Sequence, residues 1–238
     1  KDEQGLYLIE GDKMVREYMM SGIRLRLLAA KAEFIASLSA EEIASIDEIE
    51  SVSYEDLNKI SSLKTPHNAI ALVPISPLAT DVGDIIKDLC IALEFVQDPG
   101  NLGTIIRSAA WFGIKNIICS NNCVDLYNPK VIQASMGAIL NVDVHYLDLS
   151  YFLNQAYSNK IPVFGAFLDG ESVYNHKLDN KGVILLGNES RGISAELVPF
   201  VTSRIMIPKF STSDYGIESL NVSMAAVVIL SEFVRRRR

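Results

Sequence analysis

The chain has 238 residues, a formal net charge of −7, 49% hydrophobic residues and 21% charged residues. This composition describes a folded globular protein with one large core or two small ones, and excludes both a disordered chain and a protein that coats nucleic acid by bulk charge. No apolar run reaches the roughly 18–20 residues that cross a bilayer, the acidic start KDEQGLYLIEGDK has no signal-peptide pattern, and an odd count of three cysteines fits reduced, cytoplasmic thiols.

In chain order, LYLI (6–9) reads as a strand and GDKMVREYMMSG (11–22) as an amphipathic helix stopped by Gly22. IRLRLLAA (23–30) follows as a strand. Ser39 with Glu42, and Ser53 with Asp56, each have the spacing of a capping box opening a helix. AIALVPI (69–75) is a buried strand ended by Pro74 and Pro77. Strands alternating with helices imply a small α/β unit over residues 1–76, in which Lys31, Glu33 and His67 read as surface residues. Residues 77–89 carry Pro77 and Gly83 and form a linker with one short helical turn.

A second α/β unit, 90–238, opens with the near-continuous apolar strand CIALEFVQ (90–97), the pattern of a strand inside a parallel sheet. Further strands are expected at 116–120, 139–147, 161–168 and 182–187, with helices near 101–112, 129–136, 149–158 and 194–199. The apolar run Val222 to Val234 has helical spacing, and Ser219 or Asn221 supplies its N-cap oxygen. Cys90, Cys119 and Cys123 read as reduced core residues. With no metal-ligand spacing among them and His67, His145 and His176 scattered, no metal site is expected.

Three stretches fall where strands meet loops, the edge at which open α/β sheets bind ligands. In QDPGNLGTIIRSAAWFG (97–113), Asp98 to Asn101 reads as a tight turn, Asn101 as a helix cap, and Gly103 as a point of close backbone approach. Arg107 lies well round the helix from Asn101, so a loop or a partner chain would have to meet it. In LLGNESRGIS (185–194), Glu189 stands between Gly187 and Gly192, and Ser194 caps the next helix. The third stretch holds Ser219, Asn221 and Ser223 around the last helix start. None is a dinucleotide fingerprint or a phosphate loop, which disfavours NAD and ATP. Taken singly, each stretch is also an ordinary turn, cap or surface residue.

Together, in this order and spacing, DPGNLGTIIRSA, GNESRGIS and IPK…SLNVSMA closely resemble the three motifs of the SpoU-type RNA ribose 2′-O-methyltransferases of the SPOUT superfamily. YNPKVIQASMGAI (127–139) is similar to the segment between the first two motifs. YLIEGDKMVREYMMSG resembles the family's small N-terminal L30e-like substrate-binding domain. The resemblance implies a parallel sheet with a deep trefoil knot and a homodimer whose active site is completed across the interface. It also implies S-adenosylmethionine held largely by backbone groups, and methyl transfer to RNA, rRNA ahead of tRNA.

By motif position it assigns cofactor contacts to Gly187, Asn188, Gly192, Ile207, Pro208, Leu220 and Ser223. The catalytic set is Arg107, Asn101, Glu189, Ser219 and Asn221, with Glu189 orienting Arg107 or Asn101. A guanidinium does not lose its proton in proteins, so Arg107 is expected to orient phosphate and stabilise a developing alkoxide. Two features depart from the family pattern: Lys209 in place of the usual Met, and a long Phe210–Glu218 loop. The N-terminal unit also lacks a basic lead-in. Rival readings are a tRNA enzyme, a catalytically silent RNA-binding module, and a metabolite-binding protein that never meets RNA.

Overall fold

The computed structural model describes residues 5–179, 181–211, 216 and 219–235. Its first unit runs β1 (Leu6–Glu10), α1 (Asp12–Met20), β2 (Leu27–Ala30), α2 (Ala32–Ala36), α3 (Ala40–Ala44), β3 (Ile49–Ser51), α4 (Tyr54–Ile60) and β4 (Ala69–Pro74). The sheet order is β1-β4-β2-β3, with β4 antiparallel to both neighbours and β2 parallel to β3. Met14, Val15, Tyr18 and Met19 share the buried face of α1 because their spacing follows the helical turn. Ser39 and Glu42 form a full capping box, whereas Ser53 accepts from the Asp56 amide and its hydroxyl bonds the Asp56 carboxylate.

The segment 77–89 contains α5 (Val82–Ile85), capped by Asp81. The second unit then runs β5 (Leu89–Leu93), α6 (Pro99–Trp111), β6 (Asn116–Cys119), α7 (Pro129–Ser135), β7 (Asp143–Tyr146) and α8 (Leu149–Ser158). It finishes with β8 (Val163–Ser172), β9 (Gly182–Leu186), β10 (Ser203–Met206) and α9 (Val222–Arg235). All pairings in the six-stranded sheet β10-β8-β9-β5-β6-β7 are parallel. Every residue of the central strands β5 and β9 is buried. Alternate side chains go to opposite faces: Leu89, Ile91 and Leu93 join the core under α6 and α9, while Cys90 and Ala92 join the core under α8. On α9, Ala226, Ile229, Leu230 and Phe233 are buried, and each large side chain contributes about 1.5–3 kcal/mol.

The two units share a packed seam. Ile132 of α7 belongs to the core of the first sheet, and Gln133 Nε2 donates to the Glu10 carbonyl at 3.2 Å. Tyr7 packs on Tyr127 with ring centroids 4.5 Å apart, and burial raises the Tyr7 phenol far above its ordinary pKa. Gly103 sets the closeness of α6 and α7: a Cβ there would lie 2.4 Å from the Ala134 Cβ. Its close approach is therefore to a neighbouring helix.

Several sequence expectations need correction. β3 and β10 are strands that the apolar pattern did not show, being short and at or near sheet edges. The expected strand 139–147 begins only at Asp143, after a single 3-10 turn at Ala138–Leu140. The strand expected over 23–30 narrows to Leu27–Ala30. No α-helix forms at 194–199; backbone turns there lead to one 3-10 turn at Val198–Phe200, so Ser194 does not cap a helix. The long Phe210–Glu218 loop falls largely outside the described residues, as do Arg236 to Arg238.

The linker is pinned by a buried histidine. His145 Nε2 faces the Asn116 Oδ1 acceptor at 3.1 Å and must carry the proton, leaving Nδ1 to accept from the Thr80 hydroxyl at 2.9 Å. Burial lowers the His145 pKa below the ordinary 6.5, opposed in part by Asp143. The unfolded chain therefore binds a proton that the native protein refuses, and stability falls as the pH drops below about 6.5. Urea unfolding across that range will show this acid limb in the wild type, and His145→Gln will weaken it. An unchanged pH dependence in the variant would contradict the assignment.

Candidate active site

At the C-terminal end of β5, the chain leaves the sheet through Glu94 and Phe95. Phe95 has φ 56, a left-handed conformation uncommon for a non-glycine residue. It is held there because its amide donates to Ser120 Oγ at 3.1 Å and its carbonyl accepts from Asn188 Nδ2 at 3.0 Å. Pro99 then starts α6 and Asp98 caps it, accepting from the Asn101 amide at 2.8 Å. The expected tight turn over 98–101 is thus a capped first turn, and Asn101 is not the cap. Proline's fixed φ suits the first helical position, which moves the cap one residue upstream of it.

That shift frees the Asn101 side chain. Its Nδ2 donates to Glu189 Oε1 at 2.6 Å, and its Oδ1 accepts from Asn221 Nδ2 at 2.9 Å. Asn221 Oδ1 in turn accepts from the Ser223 amide (3.0 Å), the Ser223 hydroxyl (2.6 Å) and the Met224 amide (3.3 Å). The orientation of each amide follows from the ends of this chain of bonds. A carboxylate only accepts, so Asn101 must present its NH2 to Glu189 and its oxygen to Asn221. The free N–H groups at the start of α9 need an acceptor, so Asn221 must turn its oxygen to them. Three segments far apart in sequence are tied by direct hydrogen bonds.

Glu189 is positioned by its own loop. Asn188 and Gly192 exchange two backbone hydrogen bonds (3.1 and 2.8 Å), and Asn188 Oδ1 accepts from the amides of Ser190 and Arg191. Gly187 is required at the base of this loop: a Cβ there would lie 2.2 Å from the Gly192 carbonyl carbon. Beneath it Glu94, only 6% exposed, accepts from the Ser194 amide at 2.9 Å. Glu94 is a loop-positioning residue that sequence reading missed. A carboxylate inside the apolar run CIALEFV was the available signal, since buried charges occur only when partnered.

The structure therefore brings together Asn101, Glu189, Asn221, Asn188 and Ser223, with Gly187 and Gly192 shaping the loop. Ile207 packs its side chain against the core, and Pro208 follows it half-buried. Ser219 and Leu220 lie exposed before α9, and Ser219 is not tied to the network among the described residues. Arg107 is not part of the network either. It is exposed on the outer face of α6 and, among the described residues, makes no hydrogen bond or ion pair; it lines a separate groove with Glu17, Trp111 and Met136. Within one chain, Glu189 accepts from Asn101 and not from Arg107. Among the described residues no group of three His, Cys, Asp or Glu side chains converges to hold a metal.

Residues 88–231 match the SpoU rRNA methylase family, and residues 1–71 match an MRM3-like substrate binding domain. A Bacillus subtilis 23S rRNA (guanosine(2553)-2′-O)-methyltransferase is 25% identical, covering 94% of this chain and 86% of its own length. A TrmH-family protein of Porphyromonas gingivalis superimposes with a TM-score of 0.86 at 36% identity, covering 98% of this chain and 90% of that one. An AdoMet-bound rRNA methyltransferase from Sinorhizobium meliloti superimposes with a TM-score of 0.84 at 25% identity, covering 99% and 89%.

If the hydrogen bonds form a connected chain, Asn101→Ala and Asn221→Ala will not be additive. Each will cost about 1 kcal/mol of unfolding free energy in urea, and the double variant will cost less than their sum by about 0.5 kcal/mol or more. Additivity within about 0.3 kcal/mol would show that the two side chains act separately.

Proposed function

This chain belongs to the SpoU rRNA methylase family, and from that membership we propose that it methylates a ribose 2′-hydroxyl of ribosomal RNA, using S-adenosylmethionine. The observation that carries the reading is the direct hydrogen-bonded union of the three motif side chains Asn101, Glu189 and Asn221. The match of residues 1–71 to a substrate binding domain favours rRNA over tRNA and supports an RNA-binding role for residues 1–76. With 77–89 as linker, residues 90–238 form the catalytic domain.

The donor set suits the cofactor. Gly187 lies in tight contact with Gly192 and the Ile207 side chain packs against the core, which favours recognition of a cofactor by main-chain groups at these positions. An adenosine read by main-chain groups at Gly187, Ile207 and Leu220, with Asn188, Gly192, Pro208 and Ser223 shaping the loops, fits that arrangement. When bound, S-adenosylmethionine supplies a methyl group activated by a positively charged sulfur. The protein must bring the ribose oxygen into line, stabilise the charge it develops as its proton leaves, and exclude competing geometries. Arg107 clamps an RNA phosphate and lowers the cost of the developing alkoxide; being permanently protonated it is not the base. The proton is released to water. Ser219 borders the reacting ribose, while Asn101, Glu189 and Asn221 position the loops.

Arg107 lies away from the network within one chain, so the site is completed by a second copy, as a homodimer. The outward face of α9 supports this: Met224 (54% exposed), Val227, Val228 and Val234 form an apolar stripe on the side opposite the core. Return of the chain from edge strand β10 to seat Asn221 beside Asn101 supports a C-terminal segment threaded as a trefoil knot. No helix among the described residues is long and apolar enough to cross a membrane. Similarity to the Bacillus subtilis enzyme favours action in the cytoplasm.

Calorimetry will show binding of S-adenosylmethionine and none of NAD or ATP. Arg107→Ala will reduce methyl transfer to rRNA by at least about 100-fold while changing cofactor affinity less than about threefold. Near wild-type transfer by the variant, or nucleotide binding without binding of the methyl donor, would overturn the reading.

A further inference from the structure

The groove that holds Arg107 has a second element that the methyl-transfer chemistry does not use. Trp111, the protein's single tryptophan, is 85% exposed one helical turn beyond Arg107 on the same face of α6. Around it the seam between the two units opens a cavity of about 670 Å³, bordered by Glu17 and Met20 of α1 and by Met136 and Asn141 after α7. Met20 is 82% exposed and Met136 57%, the latter in a left-handed conformation (φ 51) at the end of α7. Large apolar side chains this exposed and this close together are uncommon on a monomer unless they meet a ligand or partner.

We propose that this groove receives an unstacked RNA nucleotide, its base lying on the Trp111 indole and its phosphate held by Arg107. The inference rests on the reading of the protein as an RNA methyltransferase and names where that RNA is gripped. The chemistry of the groove suits a nucleotide in three ways. A flat aromatic face stacks on any base, and the flexible thioethers of Met20 and Met136 adapt to its edges. The guanidinium has no partner among the described residues and complements a phosphate. The Glu17 carboxylate and the Asn141 amide offer polar groups to the base edge; among the described residues the only ion pair of Glu17 is a 3.7 Å contact to Lys13. A second copy of the chain is the rival occupant. A concave groove whose cation has no partner among the described residues matches a charged nucleotide better, and the apolar stripe of α9 already offers a face for self-association. Located at the seam, the groove also lets the first unit and the catalytic domain hold one RNA strand together.

Because Trp111 is the only tryptophan, its fluorescence reports this groove alone. A short unstructured single-stranded RNA titrated into this 238-residue chain will quench it saturably. An abasic oligonucleotide of equal length will bind without that quench. Trp111→Ala will weaken RNA binding on the order of 10- to 100-fold, and Trp111→Phe will restore it to within a few-fold. No change in Trp111 fluorescence at saturating RNA would overturn the proposal. So would a Trp111→Ala protein that loses only its dimeric state, by light scattering, with RNA affinity intact, since that would make the surface a subunit contact. Cofactor calorimetry on the same samples keeps the two readings apart. Normal S-adenosylmethionine binding with an unresponsive Trp111 refutes the groove alone. Absent cofactor binding with a quenched Trp111 refutes the methyl-transfer reading and leaves the groove standing.

Discussion

The chain of hydrogen bonds from Glu189 through Asn101 to Asn221 is the constraint on which the rest of the site depends. It has one direction only, because a carboxylate at one end accepts and a helix N-terminus at the other donates. Everything upstream serves to bring its members within reach. The fully buried strands β5 and β9 lie side by side, so the loops after them emerge together at one edge of the sheet. Asp98 and Pro99 fix where α6 begins, and the buried face of α9 anchors the third segment against α6. Remove the packing and the three polar side chains have no reason to meet.

The same packing divides labour across α6. Its inner face is core, its first turn carries Asn101 toward the loops, and its outer face carries Arg107 and Trp111 toward the seam with the first unit. Gly103 permits the close contact of α6 with α7, and α7 in turn lends Ile132 to the core of the first sheet. A single helix thereby couples the loops that carry Glu189 and Asn221, the groove that holds Arg107, and the first unit. The N-terminal unit is positioned by specific contacts, among them Gln133 to Glu10 and Tyr127 to Tyr7, so its placement relative to Arg107 is defined.

Much of this was legible in the sequence. The central strands are recognisable because both faces are buried and the residues are apolar throughout. The motif stretches stood at strand ends, and the helical angle between Asn101 and Arg107 already implied that they would not meet. Other features were not legible, for physical reasons. β10 is short and pairs at a sheet edge, where little burial marks it. The cap moved from Asn101 to Asp98 because proline's backbone preference outweighed the capping propensity of the asparagine. At 194–199 only backbone turns form, since the Ser194 amide is drawn to Glu94 across the sheet edge and the segment is too short to repay a helical nucleus. Glu94 and the exposed Trp111 are tertiary facts: one is a charge satisfied from a distant loop, the other an apolar side chain left outside by the helix face it shares with Arg107.

The central claim, that this arrangement serves methyl transfer to a ribose oxygen, is tested most directly by nucleoside mass spectrometry of rRNA incubated with the protein and isotope-labelled S-adenosylmethionine. The account predicts a labelled nucleoside that keeps its methyl group on the sugar fragment when the base is lost. A label found on the base instead, or rRNA left unlabelled by protein that binds the methyl donor, would contradict it.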